Sequence, residues 1–234
     1  AVPPEQVEAY QSLFGDRLGW LGGRIIAGGT VERWETVLRA LDSVDASCTH
    51  IAVHDAARPL TSQALIQRVF AAAKQYHAAI PAMAVGNTLK RVERRDDAPD
   101  ASAPVESEAT PAPDPLDALL GGGEAEAPPP VQRIVETVPR DNLVEAQTPQ
   151  VFEASLLRRA YEPLTAGETS QRVTDDASLV EALGEAVYTV EGEPTNFKLT
   201  HPADAELAEA LLAKRAGGEQ PTKKRRIEDD EDEL

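Results

Sequence analysis

The stretch IAVHDAARPL, residues 51–60, ends a short apolar run in His54 and Asp55, crosses two alanines and meets Arg58 and Pro59. A carboxylate accepts hydrogen bonds from sugar hydroxyls, and a guanidinium pairs with phosphate oxygens. The same two residues also suit a helix-capping Asp and a surface Arg. Lys198 falls in the apolar run TNFKLT, where a lysine needs a partner. Arg140 in TVPRDNL adds a further cation, and Thr148-Pro149 in AQTPQVF makes a polar, rigid turn. AGG at 27–29 is a turn where backbone amides can approach a base or a phosphate, although a Gly-Gly pair serves equally as a plain turn. Such a set suits phosphates and sugar hydroxyls, not proteolysis. Ser155 and Ser178 have helical contexts without a base partner, and His50, His54, His77 and His201 lack metal-ligand spacing. His54 reads as a packed strand-end residue.

In an α/β sheet, ligands sit beyond the carboxyl ends of the strands. The elements that would put these residues there alternate. Val31, Trp34, Val37, Leu38 and Leu41 share one helical face, and SQALIQRVFAAAKQY from Ser62 repeats the pattern with Ser62 as N-cap. TDDASLVEALG reads as a helix capped by Thr174 or Asp175 and ended by Gly184, and HPADAELAEALLAKRAGG as the last helix, with Gly217 after it. GRIIAG, HIAVH, AAIPAMAV, AVYTVEG and NFKLT suit strands. Alternation of this kind predicts a mostly parallel, Rossmann-like α/β sheet flanked by helices. NTLKRVE and VQRIVETV are polar and β-prone, and predict a β-hairpin arm at about 86–93 and 131–140. Between them, 94–130 is rich in Pro, Ala and acids and is expected to be a disordered insertion at the arm tip; 215–234 is expected to be a charged, disordered tail.

Charge follows this organisation. Of the net −17, residues 96–130 carry −9 and 219–234 carry −3, leaving −5 for the other 183 residues. That balance argues against nucleic acid as a partner. Cys48 is the only cysteine, which excludes an intrachain disulfide and fits a reducing, cytoplasmic compartment. No apolar run approaches the length of a membrane span, so no membrane partner is expected.

GGTVERWETVLRAL, VHDAARPL, NTLKRV, ETVPRDNLVEAQTPQVF, VTDDASLVEALG and VEGEPTNFKLTHPADAELAEALL occur in the order found in methylerythritol phosphate cytidylyltransferases. The chain resembles that family over nearly all of 1–92 and 131–214, which would form the nucleotidyltransferase domain. The resemblance implies an enzyme joining CTP and methylerythritol phosphate into CDP-methylerythritol and pyrophosphate, on the route to isoprenoids. It implies that Arg140 and Lys198 hold the substrate phosphate for attack on the α-phosphorus of CTP. Asp55, Ala56 and Arg58 would lie around the ribose and substrate hydroxyls, Gly28, Gly29, Thr30 and Thr36 would line the cytosine pocket, and Thr148 would bind substrate. Thr88 and Arg140 on the arm would act in the site of a partner subunit, making a homodimer. Mg²⁺ is expected, bound mainly through the triphosphate.

The sequence departs from the family pattern at Asn87, where Asp is usual, at Thr36, where Ser is typical, and by one extra residue between Gly-Gly and Arg33. The family's Gly-rich loop, of the type A-A-G-x-G-x-R, has no counterpart in 1–234, and AVPPEQVEAY matches the stretch after the family's first long helix. The chain is therefore expected to be given without that opening segment. Two other readings remain: a pentitol phosphate cytidylyltransferase such as one for ribitol phosphate, and a non-catalytic dimerising remnant.

Overall fold

A computed structural model of the protein describes residues 1–94, 132–165 and 173–217. The expected insertion, beyond its first residue, and nearly all of the expected tail lie outside the described residues. The chain divides into two compact units, one of Ala1–Met83 with Val144–Leu234 and one of Ala84–Leu143.

In the first unit a 3-10 turn, Pro4–Gln6, leads into α1 (Val7–Trp20), and α2 (Arg33–Ser43) and β1 (His50–Val53) follow. Next come α3 (Gln63–Tyr76), β2 (Ala78–Ala84, its last residue falling in the second unit), and then β5 (Val144–Ala146) and β6 (Gln150–Glu153). The unit ends with α4 (Ala154–Thr165), α5 (Asp176–Ala182), β7 (Tyr188–Glu191) and α6 (Pro202–Gly217). β6 pairs antiparallel with both β1 and β2, so β1 and β2 run the same way, and β7 joins β2 in parallel. The helix-flanked α/β sheet is thus as expected, but it is mixed and not mostly parallel in its pairing, because β6 runs against β1 and β2 and pairs antiparallel with both.

Alternation along the strands puts a core on each face. Ala78, Ile80 and Phe152 face Val37 and Leu41 of α2, Leu157 and Tyr161 of α4 and Val180 of α5. Ala79 and Val151 face Leu65, Val69 and Ala73 of α3. Ser62 caps α3 by accepting from the Leu65 amide at 3.0 Å, and Asp175 caps α5 by accepting from the Ser178 amide at 3.0 Å. Gly184 takes φ +80° just after α5, as a helix-ending glycine does.

The structure corrects four expectations. Val31 precedes α2, whose N-cap is Glu32, and is 81% exposed, so it does not share the buried face of Val37 and Leu41. GRIIAG forms one bridge, Val2 to Ala27, since a strand needs a partner along its length. NFKLT is not a strand either; its polar anchor Asn196 turns the chain inward, and Leu199 makes a single backbone bond to the Ala57 carbonyl at 2.8 Å. Gly217 is the last residue of α6 and does not follow it.

The second unit contains β3 (Leu89–Arg94) and β4 (Gln132–Val138), paired antiparallel with a register shift at Arg91/Val92. Arg91 pairs with Glu136 at 2.8 Å and Arg133 with Glu93 at 3.3 Å, the cross-strand pairing expected of an exposed ribbon.

Two stability changes follow from these contacts. Ser62→Ala is expected to cost about 1 kcal/mol, the usual worth of an N-cap hydroxyl. Phe152→Ala, which empties the core beneath α4, is expected to cost about 3–5 kcal/mol. Urea denaturation checks both as a fall in midpoint with the m-value unchanged.

Candidate functional site

Asp55 lies just past the end of β1, and three cations approach its carboxylate. Lys198 Nζ is 3.3 Å from Oδ2, Arg58 Nε is 3.9 Å from Oδ2, and Arg33 Nη2 is 3.7 Å from Oδ1. The fold thereby brings together residues from α2, the turn after β1 and the segment after β7. With Asp176 pairing Arg33 from behind at 2.9 Å, two carboxylates among three cations leave a formal surplus of one positive charge, a field that favours anions.

Each cation is held from the protein interior. Arg58 Nη1 donates to the Asn196 carbonyl at 2.7 Å, while its buried Nε has no hydrogen-bond partner. Burial lowers the Arg58 pKa, an effect that Asp55 only partly offsets. Lys198 is tethered by the neighbouring Leu199–Ala57 backbone bond. Arg33 donates to Asp176 at 2.9 Å; Asp176 is fully buried and also accepts from the Tyr161 hydroxyl. Partial burial works against the Arg33 charge, but Asp176 and then Asp55 outweigh it, and the guanidinium becomes more basic than usual. Burial, followed by the adjacent Asp176 charge, pushes the Tyr161 phenol far upward, so it stays a protonated donor.

Arg33, Thr36, Val37, Val53, Asp55 and Ala56 line a cleft of about 440 Å³ between α2 and β1. Gly28 and Gly29 pack against the first turn of α2: a Cβ on Gly29 would lie 2.3 Å from Glu35 Cβ, and one on Gly28 2.9 Å from Thr36 Oγ1. The loop amides have internal acceptors. Gly28 donates to the Val2 carbonyl at 2.7 Å, Gly29 to Thr36 Oγ1 at 2.8 Å, and Thr30 and Val31 to Glu35 Oε2 at 3.1 and 3.3 Å. The glycines therefore serve close packing in this structure, and the amides do not stand open to a phosphate. Thr148 is buried, accepts from the Asp55 amide at 3.0 Å and bonds His54 Nδ1 at 2.8 Å. Its hydroxyl supports Asp55 from below.

Thr88 and Arg140 lie in the second unit, at one end of the hairpin where Leu89 pairs with Val138. Arg140 donates to the Gly86 carbonyl. Two further clefts, of about 440 and 550 Å³, open around His77 and Glu153 at the other end of the sheet. Their central charges are mutually satisfied: His77 bonds Glu153 at 2.7 Å, and Ser155 donates to the same carboxylate.

Sequence reasoning missed Arg33 as a member of the cluster, and with it Asp176, Tyr161 and Asn196. The available signal was the pair of acids in TDDASLVE and the asparagine beside Lys198. An acid at the start of a helix with apolar neighbours on its face needs a cation or a donor opposite it.

Comparison with known proteins bears on the family of the chain. The family model described as 2-C-methyl-D-erythritol 4-phosphate cytidylyltransferase matches residues 1–101 and 125–214. A relative of that name from Frankia casuarinae is 39% identical over 215 residues, which cover 92% of this chain and 63% of the relative. Another from Acidobacterium capsulatum is 35% identical, covering 92% of this chain and 76% of its own length. The chain thus spans less than two thirds of the first relative and about three quarters of the second. The crystal structure of the cytidylyltransferase from Thermus thermophilus aligns with a TM-score of 0.58 at 35% identity, over 82% of this chain and 74% of that one. With Asp55, Arg58 and Lys198 gathered at one strand end and motif order kept along the matched residues, this chain belongs to the 2-C-methyl-D-erythritol 4-phosphate cytidylyltransferase family.

Proposed function

We propose that the protein is a cytoplasmic cytidylyltransferase that joins CTP and 2-C-methyl-D-erythritol 4-phosphate in isoprenoid precursor synthesis. A phosphate oxygen of methylerythritol phosphate attacks the α-phosphorus of CTP. The bond from that phosphorus to the oxygen bridging to the β-phosphorus breaks, releasing pyrophosphate and leaving CDP-methylerythritol. The observation that carries this reading is the cluster of Lys198, Arg33 and Arg58 about Asp55, which together with Arg33 lines the cleft beside α2. Two anions must meet for reaction, and fixed cations offset their repulsion at low reorganisation cost. Lys198 would neutralise the attacking phosphate, and Asp55 and Arg58 would orient sugar hydroxyls. Ala56 leaves room for the ligand on the cleft wall.

No group of three or more His, Cys, Asp or Glu fit to hold a metal occurs among the described residues. Among the described residues Asp55 is the one carboxylate lining the cleft, and it faces cations. Mg²⁺ would therefore arrive on the triphosphate and be held mainly by its phosphate oxygens. The bound ion would stabilise charge developing on the departing pyrophosphate. Thr88 and Arg140 would serve the site of a second copy, in a homodimer made through the hairpin. The exposed Val92, Ile134 and Val135 on that hairpin support such a contact.

The test is turnover by the protein expressed from its complete reading frame, with CTP, Mg²⁺ and methylerythritol phosphate. CDP-methylerythritol and stoichiometric pyrophosphate are expected. Lys198→Ala should lower kcat/KM by about 10²–10³, the usual loss for one preorganised donor to developing charge. A folded protein that turns over ribitol 5-phosphate in preference, or neither sugar phosphate, would overturn the assignment.

A further inference from the structure

His54 closes β1 with both ring nitrogens engaged. Nδ1 lies 2.8 Å from Thr148 Oγ1, and Nε2 lies 3.1 Å from the Arg58 carbonyl and 3.3 Å from Thr61 Oγ1. A carbonyl only accepts, so Nε2 must carry a hydrogen. The Thr61 hydroxyl does not change that conclusion, because its own hydrogen has a better place to go. Asn196 Nδ2 donates to the Thr148 carbonyl at 2.8 Å and to Gln147 Oε1 at 3.2 Å, which turns Asn196 Oδ1 towards Thr61 Oγ1 at 2.7 Å. Asn196 is fully buried, so that orientation is fixed by the need to satisfy both ends of its amide.

In a neutral imidazole with its hydrogen on Nε2, Nδ1 is an acceptor. The Thr148 hydroxyl must then donate to Nδ1, and its oxygen receives the Asp55 N–H at 3.0 Å. One ring therefore pins both ends of the turn that carries the charged residues. It reaches Asp55 through Thr148 and Arg58 through its carbonyl, and the turn itself is closed by the Arg58 amide on the Asp55 carbonyl at 2.9 Å.

We propose that His54 is a positioning residue: as the neutral Nε2–H tautomer it sets the direction of the Thr148 hydroxyl and so holds Asp55 and Arg58 in register. The consequence for catalysis rests on the function proposed above; the tautomer and the relay do not. His54 lines the cleft, but both of its ring nitrogens are taken up within the protein. Its contribution is to keep the Asp55 main chain still while the carboxylate faces three cations, and small losses of register at such sites are costly to rate.

The test uses ¹⁵N-histidine-labelled protein at neutral pH, with the His54 signals assigned by their loss in His54→Gln. A protonated Nε2 and an unprotonated Nδ1 are expected; the opposite tautomer, a doubly protonated ring or rapid averaging would overturn the proposal. Hydrogen exchange at the Asp55 amide supplies the second readout and needs no substrate. His54→Gln keeps a donor for the Arg58 carbonyl but loses the Nδ1 acceptor, and Thr148→Val loses the hydroxyl. Each should speed Asp55 exchange by about tenfold, the worth of roughly one hydrogen bond, with the double variant no faster than the worse single. Thr148→Ser should restore protection. In the active enzyme the same pattern should appear in kcat/KM. Multiplicative losses in the double variant, or unchanged Asp55 exchange in His54→Gln, would sink the relay even if turnover is found; absent turnover with these signatures intact would sink only the function.

Discussion

The structure around the cleft depends on one constraint: Asn196 is fully buried, and every polar atom of its amide must find a partner. It meets that demand, together with its own main-chain carbonyl, by bonding two separate segments. Its amide nitrogen reaches Thr148 and Gln147 before β6, its side-chain oxygen accepts from Thr61 ahead of α3, and its carbonyl accepts from Arg58. Gln147 extends the stitch by bonding the Glu193 backbone through both of its side-chain ends. Because a partly satisfied buried network is worse than none, these segments are obliged to meet in one register. Lys198, two residues beyond Asn196, is delivered over Asp55 as a consequence.

A second buried polar group does the same from the other side. Asp176 has no exposed surface, yet it opens α5, where a carboxylate favours the helix N-terminus. Tyr161 and Arg33 satisfy it, and the demand fixes where α2 begins relative to α4 and α5. Gln150 continues the pattern, donating to Asp175 at 2.8 Å and accepting from the Ala177 amide at 3.0 Å. The polar side chains buried beneath the cleft thus come from AQTPQ, TDD and TNFK, so the short motifs are legible as an interior network before they are legible as a ligand site.

That distinction explains what the sequence did and did not reveal. Helix faces and caps at Ser62 and Asp175 could be read directly, since periodicity and capping are local. Asp55, Arg58 and Lys198 could be singled out as misfits, a charge being conspicuous where an apolar run ends. Arg33 could not, because an arginine in the first turn of a helix looks like ordinary surface until Asp176, 143 positions away, is seen opposite it. β6 was hidden for a related reason: Gln150–Glu153 is short, and only its neighbours on both sides make it a strand. NFKLT misled in the opposite sense, its apolar residues suggesting a ladder that the buried Asn196 prevents.

The distances within the cluster separate anchoring contacts from working ones. Arg33 meets Asp176 at 2.9 Å, the length of a charge-assisted hydrogen bond, in a place that water does not reach on the acid's side. The same guanidinium is 3.7 Å from Asp55, and Arg58 Nε is 3.9 Å from it with no partner of its own. Contacts of that length keep like charges from dispersing without saturating them, so an anion entering the cleft would compete against weak bonds, not strong ones. Had Asp55 closed tightly on any one cation, binding would first require breaking that pair. The interior anchors therefore do what the cluster cannot do for itself: they hold three cations near one another, and they spend only part of the guanidinium donors in doing so.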